Sequence, residues 1–463
     1  MGINAAMEIG KNGLNVFRSA TAVVSQNIAN VSTPGYSRQR AIIETAPTTN
    51  LAGYSLGTGS MISNVDRFYD GLLQQQMASS ETTLGYDSTK STVLQQIEPA
   101  FNEISTEGIG AAISNFFAAW QDLTNNPGGT SERQSVLSNA QILADDFHAT
   151  SKILSDTVSL QNNSLTPMVD SINVKLKDIA KLNDQISSTD LVAGNANEVR
   201  DKRDLLLREL AKQIGITTTE NSDGTADVKL ADGGGALVTR GTSGTFSLDK
   251  TNPDSYVVKL TPVGGTITTV TPTSGAFGAT LALRDTIIPG YQAQLNDLAT
   301  TLTTQVNAQH RAGWNLNGNT NVDLFNQGAT TAATFGLDAG MNSTLLIAAS
   351  SNSSAAGDNV NAVKIANLQS QRLMSGTPPT LTLNGFWDGL VSEVGLNVAS
   401  SKTAVSQDEA FNNQLSVLRD TTSGVSLDQE LSDLMMYQRS YQACAQVITT
   451  ATAMMDTVLG IIR

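Results

Sequence analysis

Apolar residues recur along this chain in two periods, and the longest run of the helical one closes it. From Leu427, steps alternating between four and three residues meet Leu431, Leu434, Gln438, Tyr441, Ala445, Ile448, Thr452, Met455, Leu459 and Ile462, so heptad spacing holds to the C-terminus. The N-terminus repeats the pattern through Ile3, Met7, Gly10, Leu14, Phe17, Thr21, Val24, Ile28 and Val31. Chain ends usually fray. Here they carry the most regular stripes in the sequence, which predicts two terminal helices that pair as a coiled coil and look to neighbours for the rest of their burial.

Between them the helical period returns in blocks. A segment opening at Val65-Asp66-Arg67-Phe68-Tyr69-Asp70 runs towards Ile97 and stops at Pro99. Another holds Ile113, Phe116, Phe117 and Trp120, which read as core packing, and ends at Asn126-Pro127-Gly128-Gly129. A third runs from Ser131 to about Asn163, and a fourth repeats heptads through Leu165, Val169, Ile172, Leu176, Ile179, Asn183 and Ile186. After Gly215 the period shortens to alternation, with turn signals at Ser222-Asp223-Gly224 and Asp232-Gly233-Gly234-Gly235. The fold class expected is mainly α: terminal helices pairing as a coiled coil, a long-helix bundle body and one small inserted β domain. The boundaries are 1–36 for the first helix and its turn, 37–65 a linker, 66–215 the first part of the body and 216–285 the β insertion. Then come a helix at 286–312, a polar irregular stretch at 313–358, the rest of the body at 359–424 and the last helix at 425–463.

Composition narrows the function classes. The 463 residues carry a formal charge of −14, which disfavours nucleic acid and anionic membrane as partners. No uninterrupted apolar run approaches a membrane span. Cys444 is the lone cysteine and His148 and His310 the only histidines, so there is no disulfide framework or thiolate metal site, and no catalytic, cofactor-binding or metal residues are assigned. The row Asn315, Asn317, Asn319, Asn321 and Asp323 lacks the carboxylates and closing Glu of a calcium loop. Glu8, Lys11, Asn12 and Asn15 interrupt any signal-peptide core, which leaves a cytoplasmic protein or one exported without cleavage.

The first helix ends at Ala29, Asn30, Val31, Ser32, Thr33, Pro34, Gly35 and Tyr36, where Pro followed by Gly suits a type II turn. This Ala-Asn-x-x-Thr-Pro-Gly-Tyr stretch after an amphipathic helix resembles the signature of bacterial flagellar axial proteins, the rod, hook and hook-associated families. Within them, Asp201-Lys202-Arg203-Asp204, Val306-Asn307-Ala308-Gln309-His310-Arg311-Ala312-Gly313 and Tyr437-Gln438-Arg439-Ser440-Tyr441-Gln442-Ala443 resemble the hook-associated protein 1 family. The resemblance implies a non-enzymatic, self-assembling ring at the hook–filament junction. It also implies partners, namely the hook protein, a second junction protein and an export chaperone on the C-terminal helix. The location would be the extracellular flagellum, reached by type III export without signal cleavage. Another axial component or a soluble coiled-coil scaffold remain the alternatives. On this reading Asp at Leu434 or Ile448 should abolish incorporation, whereas deleting Thr217 to Thr280 should be far better tolerated.

Overall fold

A computed structural model describes residues 2–51, 54–101, 108–192, 196–233, 235–353, 355–374, 376 and 379–461. Helix α1 (Gly2–Ala29) is followed by β1 (Gln39–Thr45), a hairpin of β2 (Thr49–Leu51) and β3 (Tyr54–Leu56), and β4 (Ser60–Arg67). β4 returns antiparallel to β1, with Ala41 opposite Val65 and an irregularity between Ile42 and Ile43. The helices α2 (Gly71–Ile97), α3 (Ile109–Asn125), α4 (Thr130–Val192) and α5 (Asn197–Gln213) follow. Asp70 caps α2 by accepting from the Leu72 and Leu73 amides.

The two helical segments expected on either side of residue 163 are one helix. α4 runs unbroken through Pro167 for 63 residues, roughly 95 Å at 1.5 Å per residue. Pro167 lies on the exposed face, where its missing N–H and its ring disturb no packed neighbour.

Strands occupy the first part of the insertion and a helix its end. β5 (Ile216–Glu220), β6 (Ala226–Leu230), β7 (Ala236–Thr239) and β8 (Thr242–Ser243) form one antiparallel sheet. β9 (Thr245–Asp249), β10 (Val257–Thr261) and β11 (Thr268–Thr269) form a second, in the order β11-β10-β9. Gly233 and Gly235, both at positive φ, flank the β6–β7 turn, and Gly234 lies outside the described residues. Residues 275–285, read as the end of the β insertion, are instead helix α6 (Gly275–Ala282) and the start of a π turn at Leu283–Ile287. The reason is local: Gly-Ala-Phe-Gly-Ala-Thr-Leu-Ala is a short apolar run, which burial on every side can fold as helix as readily as strand.

Helix α7 (Ile288–Arg311) leads to the polar stretch, and α8 (Val360–Ala366), α9 (Leu383–Ser423) and α10 (Leu427–Ile461) complete the chain. The stretch 313–358 has little regular structure, yet its Leu324, Phe325, Phe335, Met341 and Ile347 sit in the larger core. Counting Asn, Ser and Thr hides these sparse anchors.

There are two principal cores, and α4 is common to both. The N-terminal half of α4 packs with α3, α7, α8 and the start of α9 around Phe116, Trp120, Phe147 and Trp387. Its C-terminal half joins α5, α6 and the strands through Leu165, Ile172, Leu176, Val228, Phe246 and Phe277. The insertion is therefore a layer of that second core, not an appended ornament. Three α4 asparagines fasten it. Asn183 takes both the N–H and C=O of Ala226 (3.0 and 2.9 Å), Asn173 both groups of Phe246 (2.8 Å each), and Asn162 the Tyr256 N–H and Pro253 C=O (2.8 and 2.9 Å). An asparagine amide offers one donor edge and one acceptor edge, as a peptide unit does, so it extends a strand's hydrogen bonding from a helix. Asn183, which heptad counting flags as a polar intruder, is fully buried for this reason.

Candidate functional site: the terminal-helix pair and its anchor

α1 and α10 pack along much of their length, and the residues that bring them together are small. Gly10, Gly13, Val16, Ala20, Val24 and Asn27 are the buried positions of α1. A Cβ on Gly10 would stand 2.7 Å from Ile448 Cγ1, and one on Gly13 2.6 Å from Cys444 Sγ. Both distances are too short for a carbon, so the Ile448 and Cys444 side chains pack directly onto the α1 backbone where glycine leaves room. Phe17 meets Tyr437 with ring centroids 6.2 Å apart.

The less exposed column of α10 is Glu430, Leu434, Tyr437, Cys444, Ile448, Ala451 and Met455. Of the stripe read from sequence, Leu434, Ile448 and Met455 lie in this column and are half-buried. Leu427, Leu431, Tyr441 and Leu459 are exposed, Leu459 at 59%, and Ile462 lies outside the described residues. On α1, Ile3, Leu14, Phe17 and Ile28 are half-buried and Val24 is buried, and Val31, in the turn after it, is exposed. Heptad counting finds the spacing but not which of two adjacent columns faces the partner. Glycine and alanine decided that here, and a search for large apolar residues overlooks them.

What the pair leaves uncovered is apolar. Met435, Met436, Val447, Met454, Val458 and Ile461 are exposed on α10. One window within Leu383–Ile461 is long and apolar enough, by length and composition, to cross a membrane, and only 6% of it is buried. The sequence scan passed over it because Thr and Gln interrupt the run while Ile, Val, Met and Ala raise its average.

The turn after α1 anchors this pair to the body. The Tyr36 amide donates to Thr33 O at 3.2 Å and Gly35 has φ +83°, the geometry of a type II turn. Gly35 also lies so close to Leu205 on α5 that a Cβ there would be 3.3 Å from the leucine Cβ. Ala29, Thr33 and Pro34 are exposed, and Asn30 accepts from the Thr33 hydroxyl at 3.1 Å. The turn thereby presents Tyr36, Ser37 and Arg38 inward.

Asn27 is the centre of what they meet. Its Nδ2 donates to Gln39 O (2.8 Å) and Glu430 Oε2 (2.9 Å), while its Oδ1 accepts from the Tyr36 hydroxyl (2.8 Å) and the Gln39 amide (3.0 Å). Both donors and both acceptor sites of this amide are satisfied. Glu430, fully buried, takes Arg38 Nε on its other oxygen at 2.5 Å. The Arg38 amide donates to Ser423 O and Arg419 donates to Tyr36 O, tying in the end of α9. On the body side, Asp201 accepts from the Ser37 amide (2.8 Å) and from Arg67 (2.9 Å), which also reaches Asp204 (2.8 Å). Burial first, then the nearby Asp201, Glu198 and Glu430 charges, push the Tyr36 hydroxyl well above the usual tyrosine range, so it stays protonated and donates. Burial opposes the Arg67 charge, but Asp204 and Asp201 more than offset it and raise its pKa. Sequence alone singled out the turn and the Asp-Lys-Arg-Asp segment. It missed Asn27 and Glu430, whose only signal was a polar residue on each face that packs.

Among the described residues no group of three or more His, Cys, Asp and Glu could hold a metal. Asp323, in the asparagine row, is held by Arg311. His310 is fully buried, with Nδ1 on Val322 O (2.7 Å) and Nε2 accepting from the Ala348 amide (3.0 Å). The geometry is that of a joint, one helix pair locked through buried polar bonds to a rigid body.

Both halves of the joint match known proteins. Residues 7–36, helix α1 with its turn, match the profile described as flagella basal body rod protein, and residues 420–461, helix α10, match flagellar basal body rod FlgEFG protein C-terminal. The terminal pair is thus that of a flagellar axial protein. Residues 94–325 match the flagellar hook-associated protein FlgK helical domain, half of the chain. The chain belongs to the FlgK family of flagellar hook-associated proteins. It is 26% identical to flagellar hook-associated protein 1 of Bacillus subtilis (strain 168), over 98% of this chain and 97% of that one. It is also 26% identical to the protein of the same name from Escherichia coli (strain K12), over 99% of each. In fold it is similar to the flagellar hook junction protein FlgK from Burkholderia pseudomallei, with TM-score 0.65 and 19% identity over 75% of this chain and 100% of that one.

Proposed function

We propose that this flagellar protein assembles into a ring at the hook–filament junction and connects hook to filament through its terminal helices. The observation that carries the proposal is the exposed apolar surface of α10 beside a polar anchor centred on the fully hydrogen-bonded Asn27 amide. The anchor fixes how the helix pair leaves the body, and the uncovered Leu427, Leu431, Met435, Val458 and Leu459 need a cover that further axial subunits supply. Copies of this chain flank it in the ring, with the hook protein on the cell side and a second junction protein on the filament side. Before export through the flagellar type III apparatus, a chaperone covers the same C-terminal face, and the protein acts outside the cell without catalysis.

Two kinds of substitution separate folding of the pair from assembly. Ile448→Asp places a charge against Gly10 and should part α1 from α10. Leu431→Asp lies on the exposed column and should leave the pair intact. Both should fail to restore motility in cells lacking the protein, and only the first should lose helix protection in hydrogen exchange on the purified chain. Motile filaments built with both variants would show that these faces do not hold the ring.

A further inference from the structure

At the start of α4 a buried cation has no counter-charge among the described residues. Arg133, 1% exposed, donates from Nε to Pro127 O at 2.8 Å and from Nη1 to Thr344 O at 3.3 Å and Ile347 O at 2.7 Å. Those carbonyls use three N–H directions and offset none of the charge. Nη2 donates to no acceptor among the described residues. Burial pushes the guanidinium down to about 10, and no ion pair to it is formed among the described residues. The uncompensated charge is felt nearby: His310 is pushed down to about 4, by burial first, and Arg133 adds to the shift.

Arg133 lines a cleft of about 230 Å³ whose other walls include Trp314, Asn315, Leu316, Ser350 and Asn352, none of them charged. Asn315 brings a second unpartnered donor. Its Oδ1 accepts from the Asn317 and Asn319 amides (3.0 and 2.9 Å), which fixes the orientation of the side-chain amide. That leaves Nδ2, buried in a residue only 5% exposed, without an acceptor. A buried donor without a partner is rare and unfavourable, and so is a buried charge without one. Both residues line one cleft.

We infer that this cleft is an oxyanion site, in which Arg133 Nη2 and Asn315 Nδ2 donate to the oxygens of a carboxylate or phosphate group. A free anion can supply those oxygens. So can an acidic side chain of another copy of this chain, whose Asp and Glu outnumber Lys and Arg by 42 to 28.

The test is calorimetric titration of the full chain with inorganic phosphate and, separately, with acetate, at ionic strength fixed with chloride. Saturable binding of one anion per chain is expected. Arg133→Met would also break the three carbonyl bonds, so the informative variant is Asn315→Asp. It keeps the Oδ1 acceptor for both amides and puts a carboxylate oxygen where Nδ2 was, so the fold should survive while binding weakens at least about tenfold, the loss of roughly one charge-assisted bond. Acetate binding as tightly as phosphate would assign the site to carboxylates, as on a neighbouring acidic side chain; phosphate binding alone would assign it to a free tetrahedral anion. No saturable binding of either anion, or undiminished binding by a folded Asn315→Asp, would overturn the inference.

Discussion

Gly13 shows how much one missing carbon fixes. Adding a methyl there sets it 2.6 Å from Cys444 Sγ, and overpacking of this kind typically costs about 1–3 kcal/mol. Gly13→Ala should therefore loosen the helix pair, and Cys444→Ala in the same chain should restore most of the loss, since the remaining Cβ lies 3.6 Å away. Urea unfolding of the two single variants and the double would read this coupling; independent effects would contradict the proposed close approach. Glu430 is the polar counterpart. Replacing it with Ala leaves Arg38 only Asp433, 3.3 Å from Nη2, and leaves one buried Asn27 N–H unpaired, at roughly 1–3 kcal/mol, and hydrogen exchange should quicken in residues 37–45 and 427–440 while α3 and α7 keep their protection. His310 supplies a pH signature. Its folded pKa of about 4 lies below the ordinary 6.5, so the unfolded chain takes up the proton first. Stability present above pH 6.5 should fall as pH drops towards 4, by up to about 3 kcal/mol. His310→Gln should flatten that part of the stability profile, and an unchanged slope would place the effect elsewhere. None of these three contributions shows in apolar spacing, because each depends on what faces the residue across the fold.

At the scale of elements, spacing was informative where a stripe faces one way. The terminal helices, α2, α7 and the alternating strands of the insertion follow from period, caps and turn residues. The rest needed tertiary partners. Pro167 suggests a break that the exposed side of α4 tolerates, and the residues of α6 read as strand until burial makes them helix. The polar stretch hides the anchors Leu324, Phe325 and Phe335 among asparagines. The insertion is where the expectation changes most. Removing Thr217 to Thr280 would strip Val228, Phe246, Leu260 and Phe277 from the second core and leave Leu165, Ile172 and Leu176 facing water, along with Asn162, Asn173 and Asn183 without their backbone partners. The deletion is now expected to destabilise the C-terminal half of α4 and α5. Loss of protection there, with the Trp120 core kept, is the outcome to look for by hydrogen exchange. A deletion variant as protected as the full chain would return the insertion to the status of a spacer.

For the whole molecule, the arrangement separates two tasks. A body with two cores strung on α4 sets the shape, and the terminal pair offers apolar surface that none of the described residues covers. The anchor of Asn27, Tyr36, Arg38 and Glu430 makes the second a fixed extension of the first. The family was legible from the turn after α1 and from scattered motifs, whereas the anchor that gives that turn its purpose was not, because Asn27 and Glu430 lie 403 positions apart. The proposed junction role is tested most directly by adding purified protein to isolated hooks stripped of their distal proteins and locating it by gold-labelled electron microscopy. The account predicts label confined to the distal tip of the hook. Label along the shaft, or none at all, would contradict it.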